Sequence, residues 1–158
     1  MAWIFSLWVQ CREVAQAKAI DKHFEGFTST LSNGLVTTCH VARPVLGCDT
    51  CCWVVPTNVS RHGVQSETDA AILSELGRHL YDHLRKGPAF WLALVGAEVD
   101  DVRSESDVLD LLGDAHLAWR GLVVARKTWV EAGEPAGFEP FRPGSVWRPY
   151  PGEPWPPP

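Results

Sequence analysis

Two neighbouring stretches decide the fold class: Ser66-Glu-Thr-Asp-Ala-Ala-Ile-Leu-Ser-Glu-Leu-Gly-Arg-His-Leu-Tyr-Asp-His-Leu-Arg85 and Phe90-Trp-Leu-Ala-Leu-Val95. In the first, Ile72, Leu73, Leu76, Leu80 and Leu84 recur at helical spacing, which predicts a helix over about residues 67–86 with one buried stripe. Ser66 followed three residues on by Asp69 is a capping-box variant that marks its start, and Gly87-Pro88 marks its end. The second stretch has no polar residue to turn toward water. It is expected to be a central strand covered on both faces.

Toward the N-terminus, residues 3–10 alternate Trp3, Phe5, Leu7 and Val9 with Ile4, Ser6, Trp8 and Gln10, the period of a strand. Residues 12–25 carry Ala17, Ile20 and Phe24 on one helical face, and Gly26 closes the helix. Asn33-Gly34 signals a tight turn before the β-branched run Leu35–Ala42. A second run, Cys51–Val55, ends at Pro56, and the two runs are expected to pair antiparallel across the Arg43–Thr50 connection. Toward the C-terminus, Ser104 caps a short helix, Glu105–Leu112, and Leu122–Ala125 is a further strand. The order β-α-β-β-α-β-α-β predicts an α+β domain: an antiparallel or mixed sheet with helices on one face, of ferredoxin-like (split βαβ) character.

Residues 1–130 are expected to form that single α+β domain. The segment 131–158 differs, because it holds nine of the twelve prolines, which argues against helix or central strand. It also holds Phe138, Phe141, Trp147, Tyr150 and Trp155, and disordered linkers avoid aromatics. The expectation is an extended C-terminal arm packed on the same domain, with its last few residues loose. Pro151-Gly-Glu-Pro154 also matches a short PxxP ligand pattern.

The 158 residues suffice for one core without a metal or disulfide staple. The net charge of −5 argues against nucleic acid, since phosphate recognition needs a basic surface. Met1–Gln10 is apolar, yet lacks the basic start and the cleavage site of a signal peptide. No apolar run reaches the roughly eighteen residues of a membrane helix. The chain is therefore expected to be cytoplasmic with reduced thiols, and the odd number of cysteines agrees.

Three constellations could carry chemistry. Four of the five cysteines lie between Cys39 and Cys52. Cys48-x2-Cys51 has the spacing of one zinc-binding pair, and Cys39 or His40 could complete a site if the hairpin folds back. The alternative is that these cysteines are small core residues packing beside Trp53. A thioredoxin-like pair would open a helix, but this motif runs into the strand Trp53-Val-Val-Pro56. His79 and His83 lie one turn apart and are a second possible metal pair, or else boundary residues of the long helix. Glu98, Asp100, Asp101, Glu105, Asp107, Asp110 and Asp114 form an acidic stretch opposed by Arg103 alone. It could bind a divalent cation or meet a basic protein surface, or else be an ordinary solvated face.

Phosphate loops, dinucleotide fingerprints and nucleophile elbows are absent from the sequence. A small acidic protein of this kind suits a non-enzymatic binding role: inhibiting or neutralising a protein partner by occlusion, as an immunity protein or antitoxin does, against a cationic toxin such as a nuclease. The expected contacts are Glu98, Asp100, Asp101, Glu105, Asp107 and Asp110, with Trp147 and Trp155 as aromatic anchors. Two alternatives stay open: a zinc-binding or thiol-dependent enzyme using Cys39, Cys48 and Cys51 or His79 and His83, and a structural subunit that assembles through its C-terminal arm.

Overall fold

The computed structural model describes residues 4–42, 48–59, 63–99, 103–113 and 119–156. In chain order the elements are β1 (Phe5–Gln10), α1 (Val14–Phe24), β2 (Thr28–Thr30), β3 (Val36–Ala42), β4 (Cys51–Pro56), α2 (Glu67–Arg85), β5 (Leu92–Ala97), α3 (Glu105–Gly113), β6 (Val123–Ala125), α4 (Arg126–Glu131), β7 (Glu139–Arg142) and β8 (Ser145–Trp147). The eight strands form one sheet in the order β2-β3-β4-β1-β5-β6-β8-β7, antiparallel throughout. The protein is thus an α+β fold built on an antiparallel sheet.

The hydrophobic pattern explains the layers. Along β5, Ala93 and Val95 face one way and Leu92 and Leu94 the other, because side chains alternate across a strand. Ala93 and Val95 join Leu7, Val9, Cys52 and Val54 under α1 and α2. From above, Ala17, Ile20 and Phe24 of α1 and Leu73, Leu76, Leu80 and Leu84 of α2 complete that core. Leu92 and Leu94 instead meet Val108 and Leu112 of α3 on the opposite face, with Trp129 of α4 packed at the margin. The expectation of helices on one face is therefore corrected. The continuous apolar run of β5 needs cover on both sides, and α3 supplies the second.

The expected pairing of the two cysteine-bearing runs is present, with Cys39 opposite Pro56 and Ala42 opposite Trp53. The segment after residue 131 departs from an extended arm. Its β7 and β8 form a hairpin that continues the sheet beyond β6, with Val124 paired to Val146. The prolines fit because they avoid interior ladder positions: Pro140 lies on the edge strand beside a register irregularity, and Pro143 sits in the turn. Phe141 and Val146 are buried, each stabilising the fold by roughly 1.5–3 kcal/mol. The Arg142 guanidinium ties this hairpin to the end of α2, donating to Gly87 O and Pro88 O at 2.7 Å each.

Past the hairpin the chain crosses α2. The Tyr150 ring sits over Gly77, where an added Cβ would come within 2.6 Å of its Cε1 atom. A glycine inside a helix costs about 1 kcal/mol relative to alanine, and close approach of this ring gives it a packing reason. The Tyr150 hydroxyl donates to Glu153 Oε1 at 2.6 Å, and the Glu153 N–H donates to Ser74 Oγ at 2.8 Å. Tyr81 is fully buried beneath. Its hydroxyl donates to Gly121 O at 2.7 Å and accepts from the Val95 N–H at 2.9 Å.

Candidate functional site

α3 carries Glu105, Asp107 and Asp110 of the acidic stretch. Its start is held by a reciprocal cap: Asp107 N–H donates to Ser104 Oγ at 3.1 Å, and Ser104 N–H donates to Asp107 Oδ2 at 2.9 Å. The Ser104 hydroxyl also donates to that oxygen, and these bonds hold the Asp107 carboxyl below the usual range. The buried amide of Gln10 fixes the preceding residue, donating to Arg103 O at 3.0 Å and accepting from Arg103 N–H at 2.9 Å. Glu105 is committed to Arg12 through two hydrogen bonds, one of 2.8 Å, and the guanidinium keeps its carboxyl ionised. That guanidinium lies 4.7 Å from the Trp91 ring.

Among the described acids of the stretch, three are turned to solvent. Asp107 and Asp110 are exposed one helical turn apart on the side of α3 away from Val108 and Leu112, and Glu98 is exposed after β5. Asp100, Asp101 and Asp114 lie outside the described residues. The two tryptophans are elsewhere. Trp147 is half-buried on the α2 side of the sheet, its ring 5.3 Å from both Tyr81 and Phe141, with the Arg85 guanidinium at 4.7 Å. Trp155 is 46% exposed, two residues beyond the Glu153 bond to α2. Asp107 and Asp110 on α3 thus lie across the sheet from Trp147.

The cysteines do not converge as zinc ligands. Cys48 and Cys51 form a disulfide, so neither is a free thiolate. Cys39 lies beside Pro56, at the far end of β4 from Cys51, which is about 16 Å at the usual rise per strand residue. His40 is exposed and contacts Glu25, with 3.4 Å between Nδ1 and Oε1. Burial pushes the Cys39 thiol up to about 12. Cys52 donates to Ala17 O at 3.3 Å, and a bond with Cys11 together with burial raises its thiol as well. Buried protonated thiols of this kind are chemically quiet. Among the described residues, no three His, Cys, Asp or Glu side chains gather as metal ligands.

The histidine pair is also divided. His79 Nδ1 meets the Ser29 hydroxyl of β2. His83 stacks on His23 with ring centroids 4.0 Å apart, and on Phe27 at 3.9 Å. The two stacked histidines also exchange hydrogen bonds: each Nε2 lies 2.9 Å from the other's backbone carbonyl oxygen, clasping the C-terminal ends of α1 and α2 together. Burial pulls the His83 imidazole below its ordinary value. Sequence reasoning named neither His23 nor Ser29. Their partners are 60 and 50 residues away, and no local spacing announces such contacts.

One further hollow was not legible. An open cleft of about 340 Å³ lies between the β2–β3 turn and the first half of α2, lined in part by Ser32, Ile72, Glu67 and Glu75. Glu75 closes one end by accepting the Ser32 N–H and hydroxyl at 2.7 Å each, and these bonds favour its ionised form. Under α3, by contrast, the space among Trp8, Leu94 and Leu111 is about 10 Å³, room for no organic ligand.

Searches for related proteins return no matching family model, curated protein or solved structure.

Proposed function

We propose that this protein is a non-enzymatic binding protein that occludes a protein partner with a basic surface, in the manner of an immunity protein or antitoxin. The observation that carries this reading is the exposed carboxylates of Asp107 and Asp110, mounted on a helix that is capped, ion-paired and packed on the sheet, with Glu98 exposed after β5. A rigid acidic face steers a cationic partner and discriminates against acidic ones. Glu105 then serves mainly to hold α3 against Arg12, and Trp155 is the exposed aromatic available as an anchor. We also propose that the inner strands form a split βαβ core of ferredoxin-like character. The local order β3-β4-β1-β5, with α1 and α2 sharing a core on one face, supports that topology. A cytoplasmic setting belongs to the same reading.

Co-expression with the product of the adjacent gene, followed by co-purification, tests the function. The expected result is a stable complex that weakens with added salt and with Glu98→Lys or Asp110→Lys. No complex, or one indifferent to both substitutions, would overturn it.

A further inference from the structure

The Cys48–Cys51 disulfide closes a ring over two intervening residues. So short a ring removes little freedom from the unfolded chain, because the entropy of closure grows with the number of residues enclosed. A chain of this length also buries a core large enough to fold without a staple. Stability alone gives the bond little purpose, and its surroundings are those of a reactive site. Cys48 is half-exposed, whereas Cys51 is buried. Cys11, Cys39 and Cys52 are buried thiols outside the disulfide. Cys52 follows Cys51 directly, yet strand alternation turns it into the opposite, helix-covered core. Internal exchange is therefore blocked, and Cys48 is the sulfur that a solvent thiolate can reach.

We propose that Cys48–Cys51 is a thiol–disulfide exchange site, reduced reversibly by a dithiol while the fold persists. One thiolate of the dithiol attacks Cys48 Sγ. A mixed disulfide forms as the Cys48–Cys51 bond breaks, and Cys51 leaves as a thiolate that takes a proton from solvent. The second thiol, losing its proton, then attacks the reductant's own sulfur in the mixed disulfide. Cys48 leaves and is protonated, two electrons have passed to the protein pair, and the reductant ends as its cyclic disulfide. The turn has other ties that survive the reaction: Cys51 N–H donates to Cys48 O at 3.2 Å, and Cys11 N–H donates to Thr50 O at 2.8 Å. The change is thus confined to the entrance of β4. The motif opens a strand and not a helix, unlike catalytic exchange pairs, and the pair behaves as an acceptor of electrons more than as a catalyst.

Alkylation with mass mapping tests the proposal on the intact chain. Protein purified without reductant and treated with iodoacetamide under native conditions is expected to take up no label. After mild dithiothreitol it is expected to take up one label, at Cys48, with the buried Cys51 labelled only on later denaturation and the circular dichroism of the reduced native protein unchanged. Absence of the linked peptide, or reduction only after denaturation, would overturn the proposal. The single variants separate the two sulfurs. With oxidised glutathione, Cys51→Ser is expected to form a mixed disulfide at Cys48, and Cys48→Ser none at Cys51. Equal capture of both would equally overturn it.

Discussion

Replacing Gly77 by alanine changes sign according to what lies above it. In a bare helix the substitution stabilises by about 1 kcal/mol, because alanine loses less backbone freedom on folding. Here the new Cβ would stand 2.6 Å from Tyr150 Cε1 and 2.8 Å from its Cζ and Oη atoms. The ring must move. It is held by the Glu153 hydrogen bond and lies 5.4 Å from the Tyr81 ring, so displacement disturbs both contacts. Overpacking of this kind costs roughly 1–3 kcal/mol, and a lost hydrogen bond about 1 kcal/mol. Set against the propensity gain, Gly77→Ala is expected to destabilise the protein by about 1–3 kcal/mol. In a Tyr150→Ala background the obstacle is gone, and the same substitution is expected to stabilise by up to about 1 kcal/mol. The coupling energy is then roughly 2–4 kcal/mol, well above the error of a double-mutant cycle. Urea unfolding of the four proteins, followed by tryptophan fluorescence and far-ultraviolet circular dichroism, measures it. Stabilisation by Gly77→Ala in both backgrounds would refute the docking of the C-terminal segment on α2.

Two further outcomes follow from single side chains. Tyr81→Phe strands the buried Val95 N–H and Gly121 C=O and is expected to cost about 2–4 kcal/mol in urea unfolding, whereas a loss under 0.5 kcal/mol, on the order of an ordinary surface change, would contradict the network. His83 has its folded pKa below the unfolded value, so the unfolded chain binds more protons as pH falls through about 6.5. Its contribution is fully present above that pH and is lost below it. Between about pH 7 and 5.5 the stability of the native protein is expected to fall more steeply than that of His83→Gln, and equal slopes would argue against the neutral clasp with His23.

The elements that were legible are those whose signal is local and long. Of the α2 stripe, Leu73, Leu76, Leu80 and Leu84 are buried as their spacing predicts and Ile72 only partly, and Ser66 accepts the Asp69 N–H at 3.0 Å as its cap. The α1 stripe of Ala17, Ile20 and Phe24 is buried in the same way. The apolar run of β5 announced cover on both faces, which is inconsistent with helices on one side, and α3 resolves that conflict. Strands β2 and β8 have three residues each, too few to display a period. The prolines around β8 also obscured a hairpin whose interior strand contains none of them. At the candidate site, Ser104 and Asp107 were legible because capping is a three-residue pattern. The Arg12–Glu105 pair spans 93 residues and was not. The cysteine spacing is shared by zinc knuckles and by short disulfide rings, and only the distance between sulfurs separates them.

The central claim, an acidic face that captures a basic partner, is tested most directly by calorimetric titration of this protein against the purified product of the adjacent gene at low and high salt. The account predicts a saturable one-to-one complex whose affinity drops with ionic strength and drops again, at low salt, with Glu98→Lys and Asp110→Lys combined. Heat of binding that is absent, or that is unchanged by salt and by the two substitutions, would contradict it.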